Sequence, residues 1–153
     1  MLTAADILKQ KGADIISIHP DETVAKALEI MLDRKIGGIL VKENDEYIGI
    51  WTERDLMKNV VTDGFYSKTS KIKDYMSTNL TAEPITDSIY QLMDKCLGRK
   101  HRHLLIEKDG KIVGILSGGD ISRAQLMDKT KEVDNLNQMA NWDYYEDWKW
   151  KKK

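Results

Sequence analysis

Two sets of apolar and polar positions follow one another along this chain, and they predict the same elements in the same order. In the first set, Val24, Ala27, Leu28, Met31 and Leu32 fall at the i, i+3, i+4, i+7, i+8 spacing of one helix face, predicting a helix over 23–35. Asp21 or Thr23 is placed to cap it. Residues 37–42 and 46–51 read as two strands around an Asn44-Asp45 turn. A helix over 52–61 closes the set, and a polar linker over 62–69, containing Gly64, follows. Ahead of it lie a short helix over 3–11, with Ala5, Ile7 and Leu8 on its apolar side and Gly12 as a stop, and a strand over 15–18 ended by Pro20. The second set gives a strand over 79–82, a helix over 87–99 and strands over 102–107 and 111–116 around Asp109-Gly110. A helix from 117 to about 127 completes it.

Each set is thus a β-α-β-β-α unit, and the chain is α+β. The two helices of a unit cover one face of its sheet, which leaves the other face to meet the second unit, sheet to sheet. A lone unit of about 60 residues has a marginal core, so the two share an interface. The division expected is 1–65 for the first unit with its N-terminal helix, 66–127 for the second, and 128–153 for a C-terminal helical tail.

The residues repeat as well as the pattern. Ile16-Ser17-Ile18-His19-Pro20 lines up with Leu80-Thr81-Ala82-Glu83-Pro84; one extra residue then enters, and the register runs without a gap from Thr23/Ser88 to Leu56/Ile121. Leu32, Arg34, Lys35, Leu40, Gly49, Ile50 and Asp55 recur as Leu97, Arg99, Lys100, Leu105, Gly114, Ile115 and Asp120. The sharpest part is Gly49-Ile50-Trp51-Thr52-Glu53-Arg54-Asp55 against Gly114-Ile115-Leu116-Ser117-Gly118-Gly119-Asp120. Each copy ends a strand and opens a helix. It sets a hydroxyl and a carboxylate on the first helical turn, after a glycine that admits close approach. Ser/Thr-x-x-Asp at a helix start also reads as a capping box, and both uses stay open.

Charge and composition narrow the function. The 24 basic and 25 acidic residues nearly cancel, so no global field favours nucleic acid. No apolar run has the length of a membrane span. The single Cys96 excludes an internal disulfide, fits a reducing cytoplasm, and lies on the apolar face of its helix as a core residue. No HExxH, CxxC or P-loop pattern and no spaced nucleophile and base point to an enzyme. His101 and His103 share one strand face without a third metal ligand nearby.

With its two closing motifs, Ala5-Asp6-Ile7-Leu8, Pro20-Asp21-Glu22-Thr23-Val24 and Arg102-His103-Leu104, the chain resembles a CBS domain pair, or Bateman module, over roughly residues 3–127. It is similar to the stand-alone bacterial and archaeal pairs with no attached enzyme or transporter. The resemblance implies clefts between the units that bind an adenosine-containing ligand, AMP, ADP, ATP or S-adenosylmethionine, with no cofactor required. It also implies a homodimer and a regulated partner protein. Within the clefts it implies Thr52 and Ser117 on phosphate, Asp55 and Asp120 on ribose, and the strands of Ile16, Ile18, Leu80 and Ala82 along the base edge. Arg102 and His103 would place charge near phosphate in the second unit. The matching residues of the first unit, Gly37 and Gly38, offer no cation, and Arg54 either supplies one or stays in solvent. Gly118 departs from the family pattern and predicts a looser helix start there, since glycine costs roughly 1 kcal/mol in a helix. The competing reading is an interaction protein whose nucleotide sites have lapsed.

The tail carries Val133, Leu136, Met139 and Ala140 at helical spacing, then Trp142, Tyr144, Tyr145, Trp148 and Trp150 before Lys151-Lys152-Lys153. Such a stripe is usually buried, here against the molecule's own surface or a second subunit. Interleaved aromatics and lysines also occur in nucleic-acid binders, but Asp143, Glu146 and Asp147 cancel the charge.

Overall fold

The structure, a computed structural model, describes residues 1–12 and 14–139. Two three-stranded sheets each carry a parallel and an antiparallel pairing. The first is β1 (Ser17–Ile18), β2 (Gly38–Glu43) and β3 (Glu46–Thr52); the second is β4 (Ala82–Pro84), β5 (His103–Lys108) and β6 (Lys111–Ser117). The helices are α1 (Ala4–Lys11), α2 (Val24–Arg34), α3 (Glu53–Val60), α4 (Ile89–Arg99) and α5 (Gly118–Met139). Both hairpins turn on residues of positive φ, Asn44 and Asp45 in one, Asp109 and Gly110 in the other, as a two-residue hairpin loop requires.

Alternation along the strands sorts the side chains. Ile39, Val41 and Trp51 face α2 in one core, and Leu104, Ile106 and Leu116 face α4 and α5 in the other. Leu40 and Leu105 point the opposite way and belong to neither core, yet both are buried. A Cβ on Gly38, in phase with Leu40, would stand 3.4 Å from the His103 ring, in phase with Leu105. The two sheets therefore meet through the faces their helices leave free.

The flanking segments are exchanged between units. α1 precedes the first unit in sequence but packs in the second unit's core: Ala4, Ile7 and Leu8 join Ile89, Leu92 and Ile121. Its N–H groups follow, Ala4 donating to the Asp87 carbonyl at 2.8 Å and Ala5 to that of Ile85 at 3.1 Å. Reciprocally, Ile72, Tyr75 and Met76, which precede the second sheet, join Phe65 in completing the first core. Ile50 and Ser77 exchange both backbone hydrogen bonds, at 2.9 and 2.8 Å. Grouping the chain as 1–65 and 66–127 follows its order; in space each lead-in segment belongs to the other unit.

The repeat register differs from the expected one at the first strand. Ser17 lies opposite Leu40 and Ala82 opposite Leu105, so Ser17 matches Ala82 and Ile18 matches Glu83. The extra residue enters before β4, which spans 82–84 rather than 79–82. Core Ile18 is therefore replaced in the second unit by Glu83, 5% exposed, whose carboxylate binds Lys95 and Arg99. Lys95 also binds Asp87. Burial opposes the Glu83 charge, but Lys95 and Arg99 outweigh it and hold the carboxyl below its ordinary value.

At the C-terminal end, the closing helix does not stop near Met127 but runs to Met139. Val133 and Leu136 are 54% and 63% exposed on it, so the expected burial of that stripe is not met within one chain. Ala140 and the aromatic positions Trp142, Tyr144, Tyr145, Trp148 and Trp150 lie outside the described residues. Cys96 is partly buried against the second core, as expected of a packing residue, and burial pushes its thiol up. Among the described residues, no helix is long and apolar enough to cross a membrane.

Candidate functional site

Thr52 and Ser117 each end a strand and open a helix, and each lies opposite a residue of the inter-unit face, Gly38 and His103 respectively. At the first helix start, Asp55 Oδ2 accepts the Thr52 N–H at 2.9 Å and the Thr52 hydroxyl at 3.1 Å. At the second, Asp120 Oδ2 accepts the Ser117 N–H at 2.8 Å, and the Asp120 N–H donates to Ser117 Oγ at 3.1 Å. Capping is thus present in both copies, and α5 starts in register with α3 despite Gly118-Gly119. The first helical N–H of each is also taken, Glu53 by the Gly37 carbonyl at 3.0 Å and Gly118 by that of Arg102 at 2.8 Å. The N–H groups one residue on, at Arg54 and Gly119, have no intrahelical acceptor. Asp55 Oδ1 accepts no hydrogen bond among the described residues. Each motif therefore offers an anchored hydroxyl, a carboxylate and a helix N-terminus beside the inter-unit face, with an oxygen to spare on Asp55 and a guanidinium near the outer oxygen of Asp120.

The motif glycine has a different task from the expected one. Gly49 and Gly114 pair with Val41 and Ile106, and so lie on the helix-covered face rather than beside a cleft. A Cβ on Gly49 would stand 2.3 Å from Met76 Sδ, and one on Gly114 2.4 Å from Leu8 Cδ2. What comes close to the backbone is the apolar side chain of the exchanged segment, not a ligand.

The two starts differ in charge. Lys11, at the end of α1, donates from Nζ to Asp120 Oδ2 and to the Ile115 carbonyl, both at 2.9 Å. Burial works against the Asp120 charge, but the Ser117 N–H and the Lys11 ammonium outweigh it and hold the carboxyl below its usual range. Arg123 adds a guanidinium 3.7 Å from Asp120 Oδ1. Among the described residues, no such cation meets Asp55. Arg54 reaches the second unit, its Nη1 donating to the Lys100 carbonyl at 3.4 Å. Glu53 folds over Gly37, its Oε1 3.1 Å from where a Cβ would stand, beside the His103 ring.

Of the expected cations, Arg102 is exposed and contributes its carbonyl to the α5 start. His103 does not belong to the second start alone: its ring lies against Gly37 and Gly38 of the first unit. Burial pushes the imidazole down, with Lys11 and Arg102 acting the same way against Glu53 and Asp120. It stands near neutral pH as a neutral donor and acceptor rather than a charge.

Along the expected base edge, Ile16 is partly buried and Ile18 sits in the first core. Ala82 is in β4, while Leu80 precedes it. In the observed register the counterparts of Ile16 and Ile18 are Thr81 and Glu83. Ile16 and Ser17 line an open cavity of about 540 Å³ with Asp14, Ile15, Arg34 and Tyr47.

Sequence reasoning missed Lys11 and Glu53. Lys11 lies 109 residues from Asp120, and only the exchange of α1 brings them together; no local spacing carries that signal. Glu53 was visible as a motif residue, but its fold over Gly37 depends on the strand start of β2.

The CBS domain family matches residues 4–62 and 72–127, and the chain belongs to it. It is 29% identical over 145 residues, 88% of its length and 70% of the relative's, to a mitochondrial CBS domain-containing protein, CBSX3, of Arabidopsis thaliana. It spans 58% and 21% of the lengths of two further archaeal relatives. Among solved structures it superposes with a TM-score of 0.76 and 32% identity on the CBS-domain containing protein ATU1752 of Agrobacterium tumefaciens, over 81% of this chain and 99% of that one. A more distant structure, CBSX2 in complex with AMP, matches at a TM-score of 0.66 and 22% identity over 84% and 99% of the two chains.

Proposed function

We propose that this chain is a non-catalytic regulatory module of the cytoplasm. It binds an adenosine-containing ligand, AMP, ADP, ATP or S-adenosylmethionine, between its units and signals occupancy to a partner protein as a homodimer. The observation that carries the reading is the duplicated helix start. Thr52 with Asp55, and Ser117 with Asp120, each set a hydroxyl, a carboxylate and unpaired N–H donors at the inter-unit face. A helix N-terminus receives phosphate without further machinery, and a carboxylate, which only accepts, suits paired ribose hydroxyls. The AMP bound in the CBSX2 structure gives this fold a precedent for such a ligand. The division into 1–65, 66–127 and 128–153 remains our proposal for the functional units.

A ligand that binds only the native state stabilises it by roughly 2.7 kcal/mol at a hundredfold excess over Kd. For a chain of this size that is a rise in Tm of about 5–10 °C. AMP raises Tm in thermal unfolding, and adenosine raises it less. The Thr52→Ala/Ser117→Ala variant loses much of that difference. An unchanged Tm with every adenosine compound at millimolar concentration favours an interaction protein with lapsed sites.

A further inference from the structure

The exchange of α1 gives the second helix start a cation that the first lacks. Lys11 Nζ uses two of its three N–H donors, on Asp120 Oδ2 and the Ile115 carbonyl, and its side chain remains 34% exposed. A donor therefore stays available to a ligand entering beside Asp120. The corresponding lead-in of the first unit supplies none: Met76 occupies against Gly49 the place Leu8 holds against Gly114, and three residues beyond Met76 stands uncharged Asn79. The helix starts oppose each other in the same sense, with Glu53 and Arg54 in the first where the second has Gly118 and Gly119. Arg54 donates to the Lys100 carbonyl rather than to Asp55, and Glu53 lies over Gly37, so a phosphate at the first start meets two carboxylates, neither of them paired as Asp120 is with Lys11.

We infer that Lys11 is a specificity-determining residue of the Asp120 cleft, making it select a phosphate-bearing adenosine ligand over the bare nucleoside. The inference rests on the nucleotide reading given above and adds to it a residue from outside the motif. Paired to Asp120, the ammonium neutralises the carboxylate an incoming phosphate would otherwise face. It then donates to phosphate while the second carboxylate oxygen keeps the ribose. The Ile115 carbonyl holds the ammonium in place throughout, so little conformational freedom is lost when the ligand arrives.

The test is calorimetric titration of AMP and of adenosine into an Asp55→Ala background, which isolates the second cleft. Lys11→Met keeps the apolar stem and removes the charge; Lys11→Arg restores it. Lys11→Met weakens AMP about tenfold, the size of a charge-assisted hydrogen bond, leaves adenosine within about threefold, and Lys11→Arg recovers most of the AMP affinity. An AMP-to-adenosine ratio that does not move with Lys11→Met overturns the inference while leaving the nucleotide reading intact. Tighter AMP binding by Lys11→Met also overturns it, marking Lys11 as a plug. Binding of neither compound at millimolar concentration in the Asp55→Ala background, with all variants folded by circular dichroism, overturns this inference, and only if wild type also binds neither does the nucleotide reading fall with it.

Discussion

Gly114→Ala places a methyl 2.4 Å from Leu8 Cδ2, 2.8 Å from Cδ1 and 3.2 Å from Cγ. Leu8 is 6% exposed and packed in the second core, so it has little room to yield. Overpacking of this kind costs about 1–3 kcal/mol. Replacing glycine within a regular element returns about 0.5–1 kcal/mol of backbone entropy. The net loss is about 0–2.5 kcal/mol, a fall in Tm of up to about 10 °C. Leu8→Ala alone opens a cavity and costs about 2–5 kcal/mol. In the double variant the new methyl enters the space Leu8 vacates, so the combined loss falls short of the sum by about 1 kcal/mol or more. Urea unfolding followed by circular dichroism measures all three variants. Additivity within about 0.5 kcal/mol would refute the seating of α1 on the second sheet. Gly49→Ala, facing the thioether of partly buried Met76, costs less, because an unbranched side chain turns aside more easily.

Glu83→Gln removes a buried charge and leaves Lys95 and Arg99 short of a partner, lowering stability by about 2–4 kcal/mol near pH 7. Glu83 is held below its ordinary value, so its stabilising contribution is present above about pH 4.5 and is lost as pH falls through the folded value. The gap between wild type and Glu83→Gln in urea unfolding should narrow on acidification; a constant gap would contradict the pairing. Leu32, Leu97, Met57 and Leu126 on the helices, and Val61 just past α3, are all at least 70% exposed, apolar area that favours association. A dimer is expected by sedimentation at tens of micromolar, and a monomer there would count against the homodimer.

Much of the fold could be read from local pattern. The helix stripes of α2 and α4 and the turns at Asn44-Asp45 and Asp109-Gly110 depend only on neighbours in sequence, and they appear where spacing put them. β1 and β4 have too few residues to show alternation, so a one-residue slip in their alignment went unmarked and hid the replacement of Ile18 by Glu83. The exchange of α1 and of residues 65–77 is a long-range choice that periodicity does not express. The hydroxyl and carboxylate of each motif were visible because they lie within one helical turn. Their charge environment was not, since Lys11, Glu53 and the His103 ring reach it through the exchange and the sheet-to-sheet contact. The motif glycine was visible too but misassigned, because closeness to backbone has the same signature whether the neighbour is a ligand or a leucine.

If the two helix starts hold an adenosine-containing ligand, their carboxylates carry much of its binding. Calorimetric titration of AMP into wild type and into an Asp55→Ala/Asp120→Ala variant tests it most directly. Wild type should give saturable heat, removal of both carboxylates should lose at least about tenfold in affinity, and Asp120→Ala should account for a larger share of that loss than Asp55→Ala. Binding that survives the double substitution unchanged, or no binding by wild type at millimolar AMP, would contradict it.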